Sequence, residues 1–163
     1  YVSRESVLEI ARTFGGVEHR LEFVRELDGV KYYNSSIDSS PTRTAAALSN
    51  FKVKPIVICG GYDKNLDYAP LAESISRSTV STVVLTGATA GKIHSALLSC
   101  SGTAHGQINI LLADSFENAL ILARENARRG GCVLLSPASA SFDSFKNFSE
   151  RGRYFKKLVS ELE

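Results

Sequence analysis

The spacing of apolar residues changes period along the chain, and each change marks a different kind of element. After Gly15-Gly16, the stretch RLEFVRELDGVKYYN alternates apolar and polar positions on both sides of Asp28-Gly29. That is the pattern of two strands joined by a tight hairpin turn. The next segment, SSPTRTAAALSNF, shows no alternation. It reads as a helix with Ser39 or Ser40 as N-cap, Pro41 in the first turn and Ala-rich propagation to about Asn50. Short apolar runs then follow, PIVICGG, STVVLTG, INILLAD and GCVLLSP, separated by stretches of helical period near residues 69–77, 90–99 and 115–129. A last helix is expected after Ser141, with Phe142, Phe145 and Phe148 at helical spacing in its first turns.

This alternation predicts an α/β fold: a doubly wound, mostly parallel, Rossmann-like sheet with an N-terminal β-hairpin contribution. The strands read as continuous apolar runs because helices cover both faces and neither face meets water. In such sheets ligands sit beyond the carboxyl ends of the strands. The stretches that matter are therefore YYNSSIDSSPTRT, CGGYDKNLDY, LTGATAGK and LLSPASASFDSFKNFSERG. The last has a run of small residues after Pro137, which lets a ligand approach backbone.

Composition narrows the function classes. The chain has 163 residues, 44% hydrophobic and 22% charged, which fits one globular domain with its own core. The net charge of +2 comes from interspersed signs with no basic block, so neither nucleic acid nor an acidic membrane surface is an expected partner. No apolar run approaches a membrane span, and the opening YVSRESVLEIARTFGG lacks the apolar centre of a signal peptide. Cys59, Cys100 and Cys132 are odd in number and far apart, which argues against a disulfide framework or zinc site and fits a reducing cytoplasm. The sequence starts without Met, and its opening reads as a helical tail continuing from something upstream, so a domain cut from a longer protein is expected.

One stretch imitates a phosphate loop. In STVVLTGATAGKIHSALL a β-branched run feeds a Gly-rich turn ending in Gly91-Lys92. A phosphate-cradling loop needs four residues between its glycines and a hydroxyl after the lysine, to wrap the phosphates and bind Mg²⁺. Gly87 and Gly91 enclose three residues, and Ile93 stands where the hydroxyl is needed. The segment is expected to be an ordinary strand-to-helix turn.

LLSPASASFDSFKNFSERG, taken with GGYDK and HRLE…GVKYYNSS…SSPTRTAAAL, resembles the carboxyl-terminal domain of the Mur ligases, and within them the D-glutamate-adding members. The resemblance runs from about Gly15 to Leu162. It implies residues 1–14 as the tail of a preceding domain or linker and residues 15–163 as the C-terminal, amino-acid-binding domain. It also implies an ATP- and Mg²⁺-dependent reaction. The carboxylate of UDP-N-acetylmuramoyl-L-alanine becomes an acyl phosphate, and the amine of D-glutamate attacks it. In that family the phosphate loop, the Mg²⁺ ligands and a carbamylated lysine lie in a central domain, and the UDP-sugar binds a first domain. This chain alone is thus expected to bind no cofactor, to supply no catalytic residue and to be inactive.

By the same resemblance Lys64 contacts D-glutamate, with Ser141, Phe142 and Phe148 lining the amino acid, Ser141 aided by the N–H groups opening the next helix. Each has a plainer reading: a solvated turn lysine, and phenylalanines of which at least one is core. Ser39 falls where the family often has a Thr that helps hold the glutamate, although an N-cap explains it equally well. Arg20 matches an arginine that reaches the ATP phosphates, and Asn34 opens a motif that usually continues Asp-Ser-Lys. Here Ser35 replaces the Asp near the nucleotide ribose and Ile37 replaces the Lys; Asp38 offers a carboxylate slightly later. His19, His94 and His105 have no second ligand at metal spacing and read as structural or exposed. The pairs Arg128-Arg129 and Lys156-Lys157 read as solvated faces. Two other classes stay open: a receiver-like binding module, which lacks its clustered acids, and a folylpolyglutamate-type ligase, against which the Ser-Pro-Ala motif argues.

Overall fold

The computed structural model describes residues 2–13, 15–51, 55–100 and 108–163; His105 lies outside them, as do Tyr1 and Phe14 of the expected tail. Helix α1 (Arg4–Thr13) buries no side chain. Strands β1 (Glu22–Leu27) and β2 (Val30–Asn34) form the antiparallel hairpin read from the sequence, with Leu27 paired to Val30. Asp28 and Gly29 make its turn at φ 53° and 77°.

Helix α2 (Pro41–Leu48) leads to β3 (Pro55–Gly60), then α3 (Ala69–Arg77), β4 (Thr82–Thr86), α4 (Ala90–Ser99), β5 (Asn109–Leu112), α5 (Phe116–Asn126), β6 (Cys132–Leu135) and α6 (Phe148–Glu161). The six strands form one sheet in the order β1-β2-β6-β3-β4-β5, parallel throughout except for β1. Every residue of β3, β4 and β6 is buried, which is why their sequences read as unbroken apolar runs.

Alternate residues of the central strands serve two cores. Ile56, Ile58, Val84, Val133 and Leu135 face Leu120, Ala123, Phe155 and Val159 of α5 and α6. Val57, Val83, Leu85 and Leu134 face Leu48, Leu71, Ile75 and Ile93 of α2, α3 and α4. The sheet is covered on both sides, as expected of a doubly wound fold.

Two expectations need correction. The final helix does not follow Ser141: it begins at Phe148, with Asn147 as N-cap accepting the N–H of Glu150 at 2.9 Å. Glu150 reaches back to the N–H of Lys146 at 2.7 Å, so a reciprocal cap sets the start, and the Phe spacing before it is coincidental. The helix expected over 115–129 ends at Asn126. Of the two N-cap candidates for α2, Ser40 takes the position, although its hydroxyl makes no cap hydrogen bond.

Candidate functional site

The loops after β2, β3, β4 and β6 meet at the carboxyl edge of the sheet, and the segment 136–141 ties them together. Gly60 N–H donates to Pro137 O at 2.8 Å, Tyr62 N–H to Ala140 O at 2.9 Å and Thr89 N–H to Gly61 O at 3.0 Å. The Ser139 hydroxyl lies 2.8 Å from both the Tyr68 and the Thr89 hydroxyls. Ser136 Oγ donates to Asp38 Oδ2 at 2.8 Å and stands 2.9 Å from Thr44 Oγ1. This close approach needs glycine at two points. Gly60 and Gly61 take φ 121° and 146°. A Cβ would stand 1.7 Å from Thr86 O at Gly60 and 2.3 Å from Ala140 O at Gly61.

Arg151 holds the assembly from beneath. It is 2% exposed. It donates from Nε to Ser36 Oγ at 3.0 Å, from Nη2 to Ser36 O at 2.9 Å, and from Nη1 to Ser139 O and Ala140 O at 3.1 and 3.0 Å. Among the described residues no carboxylate pairs with it, and burial lowers its pKa to about 10. Sequence reasoning left Arg151 without a role. The signal was its place between Phe148 and Phe155 on the buried stripe of an amphipathic helix.

The structure brings Lys64 and Phe142 together. The Lys64 ammonium stands 5.2 Å from the centroid of the Phe142 ring, which is 57% exposed and meets Tyr62 edge-on at 6.0 Å. Ser141, next to Phe142, is buried, and its carbonyl takes the N–H groups of Ser144 and Phe145. The expected helix N-terminus at Ser141 is absent, since α6 opens seven residues later. Phe148 is not part of this cluster: its ring packs edge-on against His19 at 6.0 Å. Phe145 stacks with Phe116 and Tyr154. Ser39 lies half-buried on the loop before α2, and with Ser40 as the N-cap the capping explanation for Ser39 falls away.

The residues expected near a nucleotide separate into an exposed and an enclosed group. Arg20 and Arg43 are exposed and line, with Ser35, Asp38 and Asn50, a groove of about 340 Å³. Asn34 is fully buried. Its amide donates to His19 Nδ1 at 2.9 Å and Glu22 Oε2 at 3.0 Å, and its oxygen accepts Ser36 N–H at 3.1 Å. Both amide donors are engaged within the fold and the side chain is closed off from solvent, so Asn34 shapes the loop. Ser35 accepts the N–H of Leu21 at 3.1 Å, which fixes the segment carrying Arg20. Burial raises the carboxyl of Asp38 above its usual range, partly offset by the hydroxyls of Ser35 and Ser136.

The near-phosphate loop is closed on itself: Ala90 N–H is bound to Gly87 O and Thr89 N–H to Gly61 O. Lys92 is paired to Asp63 at 2.6 Å. Cys59, Cys100 and Cys132 are free thiols, and burial pushes Cys59 up to about 12 and Cys132 to about 11. Lys156 is not merely solvated: it bridges Glu18 at 2.8 Å and Glu22 at 2.9 Å. Among the described residues no group of three or more His, Cys, Asp or Glu side chains could hold a metal ion, and no helix is long and apolar enough to cross a membrane.

This arrangement matches known proteins at two levels. A ligase from Ruminiclostridium cellulolyticum, "UDP-N-acetylmuramoylalanine--D-glutamate ligase", is 48% identical over 164 residues, covering 99% of this chain and 35% of that protein. One of the same name from Clostridium kluyveri is 51% identical over 161 residues, again covering 99% and 35%. The chain thus spans about a third of the length of these relatives. A solved folylpolyglutamate synthase/dihydrofolate synthase from Yersinia pestis superposes with a TM-score of 0.66 at 14% identity, covering 98% of this chain and 35% of that one. A ligase domain from Haemophilus ducreyi superposes with a TM-score of 0.56 at 13% identity, covering 86% and 98%. At such identities these structures share the fold alone, so the half-identical relatives carry the finer resemblance. The model of the family described as "Mur ligase, glutamate ligase domain" matches residues 19–139, and the chain belongs to that family.

Proposed function

We propose that this chain is the amino-acid-binding, C-terminal part of a cytoplasmic ATP-dependent ligase that joins D-glutamate to UDP-N-acetylmuramoyl-L-alanine in peptidoglycan synthesis. Residues 15–163 are the domain and residues 1–14 the tail of what precedes it. The observation that supports this best is the Lys64 ammonium over the Phe142 face, beside buried Ser141, at the carboxyl edge of a sheet whose half-identical relatives bear that ligase name. An exposed cation with an apolar wall suits a short dicarboxylate, one carboxylate paired to Lys64 and the methylenes laid against the ring. Ser39 and Ser141 supply hydroxyls toward the same amino acid.

Arg20 and Arg43 fit the phosphates of a nucleotide, since both guanidinium groups face an open groove whose wall also carries Ser35 and Asp38. Bound ATP supplies the activation of the substrate carboxylate, and Mg²⁺ is held by residues of the preceding domains. What this domain contributes is positioning. It brings the amine of D-glutamate to the acyl phosphate and keeps the amino acid's charge paired. Alone, it forms no amide bond.

The reading is tested in the full-length ligase with Lys64→Ala. A charge-assisted contact closed off from water is worth about 1.5 to 3 kcal/mol, so KM for D-glutamate is expected to rise by about one to two orders of magnitude. KM for ATP should hardly move. Unchanged D-glutamate kinetics with weakened ATP use would assign Lys64 to the nucleotide and overturn the placement of the amino-acid pocket.

A further inference from the structure

Lys92 ends an imperfect phosphate loop in the sequence, and the structure turns it away from any cradle. From the first turn of α4 it crosses to the loop after β3. Its ammonium stands 2.6 Å from Asp63 Oδ2 and donates to Asn65 Oδ1 at 3.2 Å. These two residues flank Lys64. They are also bound to each other, since Asp63 Oδ1 accepts the N–H of Asn65 at 2.8 Å, and Asn65 sits in the left-handed region at φ 55°. The loop is anchored at its ends through Tyr62 N–H to Ala140 O and the Tyr68 hydroxyl to Ser139. Between those anchors, among the described residues, the ion pair with Lys92 is the polar clamp reaching it from another element.

Charge gives the clamp a second consequence. Asp63 is the carboxylate next in sequence to Lys64, yet it pairs with Lys92, while Lys64 lies over Phe142 with no ion pair among the described residues. Without Lys92, Asp63 would be free to turn to Lys64 and would set a bare negative charge beside the place where a substrate carboxylate must arrive. An internal carboxylate at high effective concentration competes well with a dissolved one.

We propose that Lys92 is a positioning residue for the amino-acid substrate: by engaging Asp63 and Asn65 together it fixes the Lys64 loop and keeps the Lys64 ammonium available to the carboxylate of D-glutamate. The proposal rests on the reading of Lys64 as a substrate-binding residue. It uses the lysine of the false phosphate loop for the amino acid and not for a nucleotide.

Steady-state kinetics of the full-length ligase carrying Lys92→Ala, Lys92→Arg, Lys64→Ala and the double variant test it. Lys92→Ala is expected to raise KM for D-glutamate by about three- to tenfold, the scale of a lost preorganising contact, with kcat and KM for ATP within about twofold. Because an exposed ion pair adds little to stability, its thermal midpoint should stay within about 2 °C of the parent. Lys92→Arg keeps the charge and reach and should stay near the parent KM. The double variant should be no worse than Lys64→Ala, because Lys92 acts through Lys64. An unchanged KM in Lys92→Ala alongside a raised KM in Lys64→Ala overturns the role of Lys92 and leaves the pocket standing. Unchanged D-glutamate kinetics in Lys64→Ala overturns the pocket itself. Additive effects in the double variant would mean that Lys92 meets the substrate directly, which also overturns a positioning role.

Discussion

Arg151 and Ser36 meet twice, through Nε to Oγ at 3.0 Å and Nη2 to the carbonyl at 2.9 Å, so one buried guanidinium reads both the side chain and the backbone of the same residue. The remaining donor group spans Ser139 O and Ala140 O. A single planar fork therefore sets the distance between the loop after β2, whose Ser35 holds the segment carrying Arg20, and the loop after β6, where Phe142 is displayed.

Arg151→Met keeps most of the stem's volume and removes every donor. The carbonyls of Ser36 and Ser139 and the Ser36 hydroxyl lose the guanidinium, each at about 1 to 3 kcal/mol in isolation, while Ala140 O keeps the N–H of Tyr62. Because the loops relax together, a total loss on the order of 3 to 5 kcal/mol is expected, read as a lower urea midpoint at unchanged slope. Arg151→Lys should recover only part of it, since one ammonium cannot span the same acceptors. A Met variant within about 1 kcal/mol of the parent would remove Arg151 as the organiser of this edge.

His19 makes the fold sensitive to acid. It is 3% exposed, its Nδ1 faces the amide N–H of Asn34, and its buried Nε2 has no hydrogen-bond partner among the described residues, with Glu18 Oε1 3.6 Å away. Protonating Nδ1 would set donor against donor. Burial lowers its pKa below the ordinary 6.5, opposed by Glu18 and Glu22 and aided by Lys156 and Arg153. For a base with a depressed folded pKa, the stabilisation is present above the unfolded value and lost as pH falls through the folded one. The urea midpoint should therefore drop as pH falls through and below about 6.5, and His19→Gln should flatten that part of the profile. An equally steep profile in the variant would assign the acid sensitivity to other groups.

The sheet was legible because burial on both faces leaves a plain mark: Val57, Val83 and Leu134 sit in runs with no polar interruption. The hairpin was legible because Asp28-Gly29 is a turn chemistry with few alternatives. The start of α6 was misread because three phenylalanines at helical spacing outweighed the cap signal Asn147-x-x-Glu150. Lys64 and Phe142 came to notice through a family resemblance; nothing in local spacing tells that residues in two separate loops will meet. The polar frame was the least legible part. Ser136 and Asp38 are 98 positions apart, and Arg151 and Ser36 are 115 apart, so no periodic pattern links them. Only after the strands are ordered do such partners become neighbours.

Glycines give the sharpest contrast in tolerance. Gly60→Ala would press a methyl onto Thr86 O from a φ of 121°, so a loss above about 3 kcal/mol is expected, with the loops after β3 and β4 displaced. Gly91 lies inside α4 with nothing within 4 Å of a built Cβ. Gly91→Ala should stabilise by roughly 0.5 to 1 kcal/mol through helix propensity. In a working phosphate loop that glycine is needed for close approach of phosphate, so the same change would abolish nucleotide use. A full-length Gly91→Ala ligase that loses ATP turnover would reinstate the phosphate-loop reading; one with parental KM for ATP supports the turn seen here.

Phe142 and Phe148, paired by sequence, should part in experiment. Phe142 is an open ring under the Lys64 ammonium, and its removal takes away an exposed cation–π contact and an apolar wall. Such a contact is worth about 0.5 to 1 kcal/mol, so Phe142→Ala should raise KM for D-glutamate by roughly two- to fivefold with little change in the urea midpoint. Phe148 opens α6, packs its ring on His19 and lends its carbonyl to the Ser36 hydroxyl at 2.8 Å. Phe148→Ala should cost about 1 to 2 kcal/mol of stability by exposing His19 and loosening the helix start. It should also make the acid side of the stability profile shallower, because a wetter imidazole protonates at less cost. Should Phe148→Ala instead raise KM for D-glutamate at parental stability and pH profile, the ring would have to turn from His19 toward the amino acid when substrate binds.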